Sequence, residues 1–303
     1  MERYGRVARI FENDKSIIME KGLVSVITMT RNREKLIGRC IKSILSQTYT
    51  NVEHIIVDGA STDGTPKLIE SFKDPRIKYF LLESNWPIKE TLIFAASKAS
   101  GEYICFLDSD DEYLPTKIEK QVALLSTLPK EYGMVYCWMT YFDESKNNAI
   151  IRVHEPKLRG RVALEAAEKP LISGTPIYLF KKSVYDELKG WNWAMPIVTD
   201  WELGARYCYK YPVDFIPESL VNVYENHCYV RQTDEILSQK PLFIKRVGMH
   251  SFMLEEFKDL FDKHPRHRAH HLSRMAYFSF KGGNYRDALK YLIRLINCKL
   301  FGI

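Results

Sequence analysis

The sequence predicts an α/β fold in which a mostly parallel sheet is flanked by helices and followed by a helical C-terminal extension. From Leu23 onward, short apolar runs rich in β-branched residues alternate with segments whose apolar residues recur at helical spacing. Strands that alternate with crossover helices form parallel sheets covered on both faces. From Pro241 onward the spacing is helical only. The expected parts are an N-terminal extension over 1–22, an α/β domain over 23–225 and a helical region over 226–303.

The first half of the chain alternates four predicted strands with four predicted helices. Each strand is five or six residues long and mostly apolar, and each helix repeats its apolar residues at intervals of three or four. Asn32 is a suitable N-cap for the first helix, and Thr65 and Pro66 suit the N-cap and N1 positions of the second. The predicted strands are 24–29, 53–57, 77–82 and 103–107, and the predicted helices are 36–45, 65–72, 89–99 and 115–128.

Beyond Gly133 the predicted elements are shorter and less regular. Two strands joined by a turn at 144–148 precede a helical piece near Ala163, and the tail ends in a helical hairpin broken by Gly282 and Gly283. Further strands are expected at 134–141, 149–153, 176–180, 213–216 and 220–224, and further helices at 199–209, 241–264, 272–280 and 285–296.

Composition limits the functional classes. A chain of 303 residues with 46% hydrophobic and 27% charged residues is typical of a globular protein. The net charge of +6 suits phosphorylated substrates or anionic lipid. Nucleic-acid binding is not favoured, because basic residues are not interleaved with aromatic ones along a stripe. The six cysteines form no Cys-x-x-Cys pair, no run approaches about 18 apolar residues, and the first residues do not resemble a signal peptide. We therefore expect a cytoplasmic protein with reduced thiols.

Three carboxylates, Asp108, Asp110 and Asp111, follow the fourth predicted strand within four residues. The ends of buried strands lie at the sheet edge where α/β proteins bind ligands. Carboxylates crowded there repel one another unless a cation lies between them, and oxygen ligands suit a hard divalent ion such as Mg²⁺ or Mn²⁺. A solvated acidic turn is the simpler interpretation of Asp-x-Asp alone, but the apolar strand in front of it favours a metal site.

The order and spacing of three segments resemble the successive signatures of family 2 glycosyltransferases, the inverting GT-A type. These segments are Val24 to Arg33 (VSVITMTRNR), Ile55 to Thr65 (IIVDGASTDGT) and Gly101 to Asp111 (GEYICFLDSDD). Beyond Gly133 the resemblance rests on Gly174-Thr175-Pro176 and on Asp200-Trp201-Glu202-Leu203. The resemblance implies a GT-A fold. It also implies transfer of a sugar from a nucleoside diphosphate sugar, expected to be UDP-linked, to an acceptor hydroxyl with inversion.

The resemblance implies donor contacts at the ends of the first and second strands. Thr28 is expected to end the first strand beside Asp58 and to contact the nucleotide through its backbone and hydroxyl. Asp58 can accept a hydrogen bond from a base imide such as uracil N3–H. Turn chemistry offers the alternative of an Asx turn that caps the loop from Gly59 to Gly64. Asp63 is expected to be structural, as part of that turn and of the cap of the following helix.

In the acidic cluster the resemblance implies a role for each residue. Asp108 and Ser109 would contact the donor, with Asp108 near the ribose, and Asp110 would bind the divalent metal. Asp111 stays open between a further ligand and a helix cap. The ion would offset the negative charge that builds up on the leaving nucleoside diphosphate.

The acceptor hydroxyl needs a general base. Asp200 resembles the family's later acidic residue at a helix start, and Glu202 is its rival. The structural alternative for Asp200 is an N-cap or an exposed charge. His227 lies where some GT-A enzymes place a third metal ligand, although an ordinary loop histidine is the simpler interpretation.

Two departures from the family pattern concern the donor. Met29 and Arg31 stand where many members have Pro and Tyr, so a guanidinium replaces a ring that could stack on the base. The stretch Asn85 to Glu90 replaces Gly and Asn positions, and its Lys89 is either a diphosphate contact or an exposed helix lysine. These changes leave the sugar undefined.

Two other functions compete with glycosyl transfer. A sugar-nucleotide pyrophosphorylase would need a Gly-rich loop after the first strand, and Thr28 to Arg33 contains no glycine. A catalytically silent nucleotide-sugar or partner-binding module stays as the alternative. For the enzyme, the resemblance implies a glycan or lipid-linked acceptor and a place in cell-surface polysaccharide or glycoconjugate synthesis.

The last predicted helix has an apolar stripe accompanied by basic residues. Such helices lie on anionic membranes, but apolar stripes also pack on neighbouring helices. The sequence leaves both a peripheral membrane contact and ordinary packing open. The stripe is Tyr285, Leu289, Leu292, Ile293 and Ile296, and the basic residues are Lys281, Arg286, Lys290, Arg294 and Lys299.

Overall fold

The computed structural model describes residues 19–226 and 241–301, which form two compact units. The first unit comprises 19–157, 175–190 and 214–226, and the second comprises 158–174, 191–213 and 241–301. Two internal segments therefore group with the helical tail. The domain limits expected from the sequence, with one boundary near 226, stay a prediction.

Nine strands form a single sheet in the first unit. Within the described residues the strands are β1 (Glu20–Thr30), β2 (Val52–Asp58), β3 (Ile77–Leu81), β4 (Gly101–Phe106), β5 (Glu112–Tyr113), β6 (Met134–Asp143), β7 (Ala149–His154), β8 (Tyr178–Lys181) and β9 (Asp214–Glu225). Their order in the sheet is β3-β2-β1-β4-β8-β6-β9-β5, and β7 pairs with β6. The four strands β1 to β4 pair with one another in parallel, and β6 pairs with β9 in parallel. Strand β8 is antiparallel to both β4 and β6. The expected mostly parallel sheet is confirmed for the half that carries the acidic cluster.

The helices of the first half alternate with β1 to β4 as predicted. The helices in chain order are α1 (Ile37–Leu45), α2 (Thr65–Ser71), α3 (Ile88–Ser97), α4 (Lys117–Thr127), α5 (Ala163–Glu168), α6 (Lys182–Glu187), α7 (Thr199–Lys210), α8 (Pro241–Glu256), α9 (Lys258–Lys263), α10 (Pro265–Lys281) and α11 (Tyr285–Phe301).

The central strands explain the apolar runs of the sequence. Every residue of β2 is buried, and β1 is buried from Leu23 to Thr28. Strands covered on both faces are mostly apolar instead of alternating, although β2 also buries Glu53, His54 and Asp58. The first helix contributes Cys40, Ile41 and Ile44 to the core, all fully buried.

A helical core holds the second unit together. Trp201 on α7 is 1% exposed, and its indole N–H donates to the Ala166 carbonyl at 2.7 Å. Met253, Phe257 and other buried apolar side chains of the tail join the same cluster. The helices α10 and α11 form the predicted hairpin. No helix within the described ranges is both long and apolar enough to cross a membrane.

Candidate active site

The carboxyl ends of three adjacent parallel strands form one edge of the first unit. β1 lies between β2 and β4, with Thr30 opposite Asp58 on β2 and Ile27 opposite Phe106 on β4. Adjacent strands are about 4.8 Å apart, so the chain leaves β2 and β4 at points roughly 10 Å apart. The structure therefore brings Asp58 and the acidic residues after β4 to the same edge, on either side of β1.

Asp58 ends β2 with a fully buried carboxylate. Its Oδ1 accepts from the Ser61 N–H at 2.8 Å, and its Oδ2 accepts from the Tyr79 hydroxyl at 3.0 Å. Burial and the nearby Asp58 carboxylate raise the pKa of Tyr79, so its hydroxyl stays protonated and donates. The hydrogen bond from Ser61 forms the Asx turn that the sequence analysis gives as the alternative role of Asp58. Because a carboxylate has about four acceptor positions, these bonds orient Asp58 and leave capacity for another donor.

Thr28 does not lie where the sequence prediction puts it. β1 runs on to Thr30, and Thr30 is the register partner of Asp58. The Thr28 hydroxyl is fully buried, donates to the Leu107 carbonyl at 2.9 Å and lies 3.0 Å from His54 Nε2. The expectation that Thr28 ends the strand beside Asp58 is therefore wrong, because the strand continues two residues beyond Thr28. A nucleotide contact by Thr28 stays a prediction, and its buried hydroxyl does not favour it.

Thr30 has the position that the sequence prediction assigns to Thr28. Within the described part of the chain, its side-chain oxygen is buried and has no hydrogen-bond partner. A buried polar group without a partner costs about 1–3 kcal/mol, and a bound nucleotide could supply the partner. The Thr30 carbonyl accepts from the Gly59 N–H at 2.9 Å, which fixes the two strand ends to each other.

The loops after β1 and β2 are tied together by hydrogen bonds. Asn32 adopts a left-handed conformation (φ 51°), and its Oδ1 accepts from the Thr62 N–H at 2.8 Å. The prediction that Asn32 caps the first helix is wrong, since α1 begins only at Ile37. Asp63 accepts from the Thr65 N–H at 3.0 Å, which confirms its predicted part in the turn. The N-cap of α2 is Gly64, so the prediction that Thr65 caps this helix is wrong.

Two residues that depart from the family pattern lie beside Gly59, just after the end of β2. A Cβ atom built on Gly59 would lie 2.9 Å from Asn85 Oδ1 and 3.7 Å from Arg31 Cδ. Both side chains are exposed, as is Lys89 on α3. Asn85 and Arg31 therefore belong to the same sheet edge as Asp58.

The acidic residues after β4 form a tight turn. The Asp111 N–H donates to the Asp108 carbonyl at 3.1 Å, with Ser109 and Asp110 between them. Asp108 is exposed, Asp110 is partly buried, and Ser109 and Asp111 are buried. Two of the three carboxylates therefore reach solvent at this edge.

Asp111 is held by the last strand of the first unit. Its Oδ1 accepts from the Tyr224 N–H on β9 at 3.0 Å. The next residue, Glu112, accepts from the Tyr224 hydroxyl and from the Asn222 amide, both at 2.7 Å. Since α4 starts only at Lys117, the cap interpretation of Asp111 is wrong. Its carboxylate instead anchors the acidic turn to β9.

Arg39 on α1 fixes the same turn. Its guanidinium donates to the backbone carbonyl of Asp110 and to Glu144 Oε1, each at 2.5 Å. Its Cζ lies 3.5 Å from the centre of the Tyr224 ring, which is a cation–π contact. The turn is therefore held by α1 at Asp110 and by β9 at Asp111, with a positive charge beside the carboxylates.

The carboxylates of the turn suit a metal ion that takes some of its ligands from the protein and the others from a substrate. Within 19–226 and 241–301, no group of three or more His, Cys, Asp or Glu side chains is arranged to hold an ion alone. Asp108 and Asp110 offer hard oxygen donors at the accessible side of the turn. Ions such as Mg²⁺ are often held by one or two carboxylates together with substrate phosphates. The residues present fit that arrangement.

Asp200 lies in the first turn of α7, in the second unit. The N-cap of this helix is Val198, so the N-cap interpretation of Asp200 is wrong. Asp200 Oδ2 accepts from the Gly174 N–H at 2.5 Å, which joins the two late segments of the family resemblance. Burial raises the pKa of the Asp200 carboxyl, and backbone N–H donors, including those of Gly174 and Trp201, oppose the rise. The carboxylate is thus oriented by backbone and more basic than an ordinary aspartate.

Glu202, the rival base, is fully buried in an ion pair. It accepts from Arg206 Nε at 2.6 Å and Nη2 at 2.8 Å, and from the Asn192 N–H at 3.3 Å. A bidentate arginine bond gives a carboxylate a fixed structural position. This geometry favours Asp200 over Glu202 as the base. The predicted third metal ligand, His227, lies outside the described residues.

Comparison with known proteins gives the family. The model of "Glycosyl transferase family 2" matches residues 25–188, which include the three strand ends and the acidic turn. The chain belongs to glycosyl transferase family 2. The family predicted from the three sequence segments is confirmed.

Curated relatives are similar over parts of their length. The putative glycosyltransferase EpsE of Bacillus subtilis is 34% identical over 178 residues, which are 56% of this chain and 60% of that protein. The Escherichia coli UDP-Glc:alpha-D-GlcNAc-diphosphoundecaprenol beta-1,3-glucosyltransferase WfgD is 37% identical over 107 residues, 35% of this chain and 42% of that protein. The chain therefore spans less than two thirds of either relative.

A solved structure shows the fold. The mannosyltransferase PcManGT from Pyrobaculum calidifontis, in complex with GDP-Man and Mn²⁺, superposes with a TM-score of 0.58 at 18% identity. The match covers 96% of this chain and 81% of that one. The predicted GT-A fold is confirmed.

Proposed function

We propose that this chain is a metal-assisted glycosyltransferase that moves a sugar from a nucleoside diphosphate sugar to an acceptor hydroxyl with inversion. The observation that carries the proposal is the edge at which Asp58 and the acidic turn flank Thr30. The nucleobase would lie at Asp58 and the diphosphate at the acidic turn, and the roughly 10 Å between these points suits the two ends of one nucleotide. EpsE is named as a putative glycosyltransferase and WfgD as a glucosyltransferase, which supports glycosyl transfer.

The donor is proposed to be UDP-linked. Asp58 accepts but does not donate hydrogen bonds when ionised, so it selects a base with an imide N–H, such as uracil. Cytosine and adenine have no equivalent donor, whereas guanine has a similar N1–H. WfgD is named for UDP-Glc. Thr30 offers its buried hydroxyl to the nucleoside, and Asp108 and Ser109 would contact the ribose side of the donor.

Asp110 would hold the divalent ion, with Asp108 beside it. When bound, Mn²⁺ or Mg²⁺ offsets the negative charge on the leaving diphosphate. The chain's own part is to hold the carboxylates in place, through Arg39 at Asp110 and Tyr224 at Asp111. The Mn²⁺ in the complex of PcManGT supports this choice of ion.

Asp200 would accept the proton of the acceptor hydroxyl as that oxygen attacks the anomeric carbon. Direct attack inverts the configuration and needs no protein nucleophile. The raised pKa of Asp200 suits a base, and the Gly174 N–H orients it. The name of WfgD includes a diphosphoundecaprenol acceptor. We propose a glycan or lipid-linked acceptor, in cell-surface polysaccharide synthesis on the cytoplasmic face of the membrane.

Calorimetric titration with nucleotides tests the donor site. Wild-type protein should bind UDP in Mn²⁺ and at least about tenfold more weakly in chelator, a loss of about 1.4 kcal/mol. Asp110→Asn should bind UDP weakly under both conditions, because its amide is a poor ligand for a hard ion. CDP and ADP should bind more weakly than UDP. The matched control is Asp186→Asn, a surface residue of the first unit paired with Lys182, which should behave as wild type.

Three results would contradict parts of the proposal. Strong UDP binding in chelator, or by Asp110→Asn, would remove the metal role. Equal binding of all nucleotides would remove base selection by Asp58. UDP binding without release of UDP from any UDP-sugar, with a glycan or lipid-linked acceptor present, would favour the silent binding module.

A further inference from the structure

One apolar stripe of α11 packs inside the second unit. Ala288 and Cys298 are buried, and Tyr291 and Leu295 pack with Cys298 against α10. These four residues recur at intervals of three or four and therefore share one face of the helix. They account for the packing of α11 on its neighbour.

A second stripe lies on a different face of α11 and is exposed. The fractional exposure of its side chains runs from 45% at Leu292 to 68% at Leu300. At 3.6 residues per turn, its centre is roughly 130° from that of the packed stripe. Phe280, at the end of α10, is 58% exposed and extends it, with its ring 5.5 Å from that of Tyr285. We call this face the outer stripe; it consists of Tyr285, Leu289, Leu292, Ile293, Ile296 and Leu300.

Basic residues lie on both sides of the outer stripe. Arg286 and Lys290 are on one side and Lys299 on the other, each about 70–110° from its centre around the helix. Across α10 and α11 there are eight Lys or Arg residues and one acidic residue, Asp287. That surplus of seven exceeds the net charge of +6 for the whole chain. The hairpin therefore carries the entire positive charge excess of the protein.

We propose that the outer stripe docks on an anionic lipid bilayer, with α11 lying in the plane of the headgroups. Its apolar side chains would enter the acyl boundary, while the long basic side chains at its edges reach lipid phosphates. A second copy of the chain is the less suitable occupant, because it would bring an equally positive hairpin to the same place. The docking is independent of glycosyl transfer, although it would hold the protein where a lipid-linked acceptor is found.

Vesicle flotation tests the surface with the full chain. Wild type should float with phosphatidylcholine vesicles that contain phosphatidylglycerol, should stay behind with phosphatidylcholine alone, and should be released by high salt. Ile293→Glu/Ile296→Glu should bind at least about tenfold more weakly, because it puts two carboxylates in the stripe. The matched control is Ile150→Glu, an isoleucine 65% exposed on β7 in the first unit, which should float as wild type.

The outcomes separate lipid from other occupants. Failure of wild type to float, or equal flotation of both variants, overturns the proposal. A dimer of wild type in sedimentation velocity that Ile293→Glu/Ile296→Glu dissociates would assign the stripe to a second copy instead. If that variant does not fold, Lys290→Glu/Lys299→Glu reverses one basic residue on each side of the outer stripe, leaves both stripes intact and must still lose flotation. Because no donor or acceptor is present, a negative result leaves the proposed transfer reaction standing.

Discussion

Two carboxylates at the start of α7 have opposite surroundings. Glu202 is buried in a bidentate ion pair with Arg206, whereas Asp200 accepts from the Gly174 N–H at 2.5 Å. Burial also raises the pKa of Asp200. Residues of similar chemistry two positions apart therefore suit different tasks, an anchor at Glu202 and a proton acceptor at Asp200.

Asp200→Asn should lower the transfer rate by about 10²–10⁴-fold, the usual contribution of a placed base. Its donor affinity and melting temperature should hardly change, because asparagine keeps the size and an oxygen for the Gly174 N–H. Glu202→Gln should instead lower the melting temperature. Breaking a buried ion pair lowers the free energy of unfolding by roughly 3–5 kcal/mol, and the hydrogen bonds that glutamine keeps with Arg206 make the loss smaller. Transfer rates and thermal unfolding of both variants check this. A stable but inactive Glu202→Gln beside an active Asp200→Asn would reverse the assignment.

The two threonines of β1, Thr28 and Thr30, show how precisely the sequence pattern can predict the position of a single residue. The pattern predicts a strand that ends near the second strand's aspartate, but the choice between Thr28 and Thr30 depends on strand register. Both residues lie on the same face of the strand, because side chains alternate with a period of two. The contacts of Arg39 and Tyr224 with the acidic turn cannot be predicted from a local sequence pattern, because the paired residues are 71 and 113 positions apart in the chain.

At the scale of the elements, Gly101 sets the approach of β4 to β1. A Cβ atom on Gly101 would lie 2.5 Å from the Leu23 carbonyl oxygen and 2.8 Å from Ser25 Oγ. The Gly101 N–H also donates to Ser25 Oγ at 2.9 Å. The glycine that opens the third family segment is therefore required by strand packing, at the end of β4 opposite to the acidic turn.

Gly101→Ala should destabilise the protein by about 1–3 kcal/mol, the usual cost of overpacking, because a backbone oxygen of β1 cannot move away. The control is Gly38→Ala in α1, where the new Cβ would be 3.7 Å from Leu68 Cδ2, an ordinary contact. That control should be neutral or more stable by up to about 1 kcal/mol, since alanine favours helix. Denaturant unfolding measures both. Equal stability of the two variants would contradict the close approach of β1 and β4.

The strands with strong apolar runs are predicted well, and the irregular ones are not. The two strands expected at 213–216 and 220–224 are one strand, β9. In its pairing with β6, Cys137 is opposite Ile216 and Trp138 is opposite Ser219, so Pro217 and Glu218 are skipped. Proline cannot donate to a ladder, so it marks a bulge here and not an end. The helix expected over 241–264 is two helices that break at Phe257. The strand β5 has only two residues, too few to show a period.

At the scale of the whole molecule, the second unit buries a pair of histidines. His250 Nδ1 and His271 Nδ1 are 3.1 Å apart, so one donates and the other accepts. Burial, and then the positive neighbours His270, Arg274 and Arg246, lower the pKa of His250 to about 3. Burial likewise holds the pKa of His271 well below its ordinary value. Two protonated rings would place donor against donor, so the native pair is neutral.

Acid should therefore weaken the protein before its carboxylates titrate. Unfolded histidine has a pKa near 6.5, so below that pH the unfolded state binds more protons than the native state. Stability is full above about pH 6.5 and falls toward about pH 3, by up to about 1.4 kcal/mol per pH unit for each histidine. Denaturant unfolding across this range measures the slope. His271→Phe removes one buried histidine and should make the slope shallower between about pH 6.5 and 5, while His250 and the buried His54 still contribute. A slope as steep as that of wild type would exclude His271 as one of its causes.

The family and the GT-A fold follow from three segments of the first half, because each joins a strand to the polar residues at its end. The composition of the second unit does not follow from the sequence. Its segments 158–174 and 191–213 join the tail through contacts between distant residues, such as that of Tyr209 with Asp259 at 2.5 Å. Local periodicity carries no information about such pairings.

The fixing of the acidic turn by Arg39 and Tyr224 has a thermodynamic consequence. The turn over 108–111 is closed by its own hydrogen bond and held by α1 and β9. Ordering the backbone costs about 1–2 kcal/mol per residue, so a four-residue turn formed only on binding would weaken the donor complex by roughly 4–8 kcal/mol. Folding of the sheet has already met that entropy cost. For the donor site proposed above, affinity would then depend partly on a helix and a strand that need touch no atom of the donor.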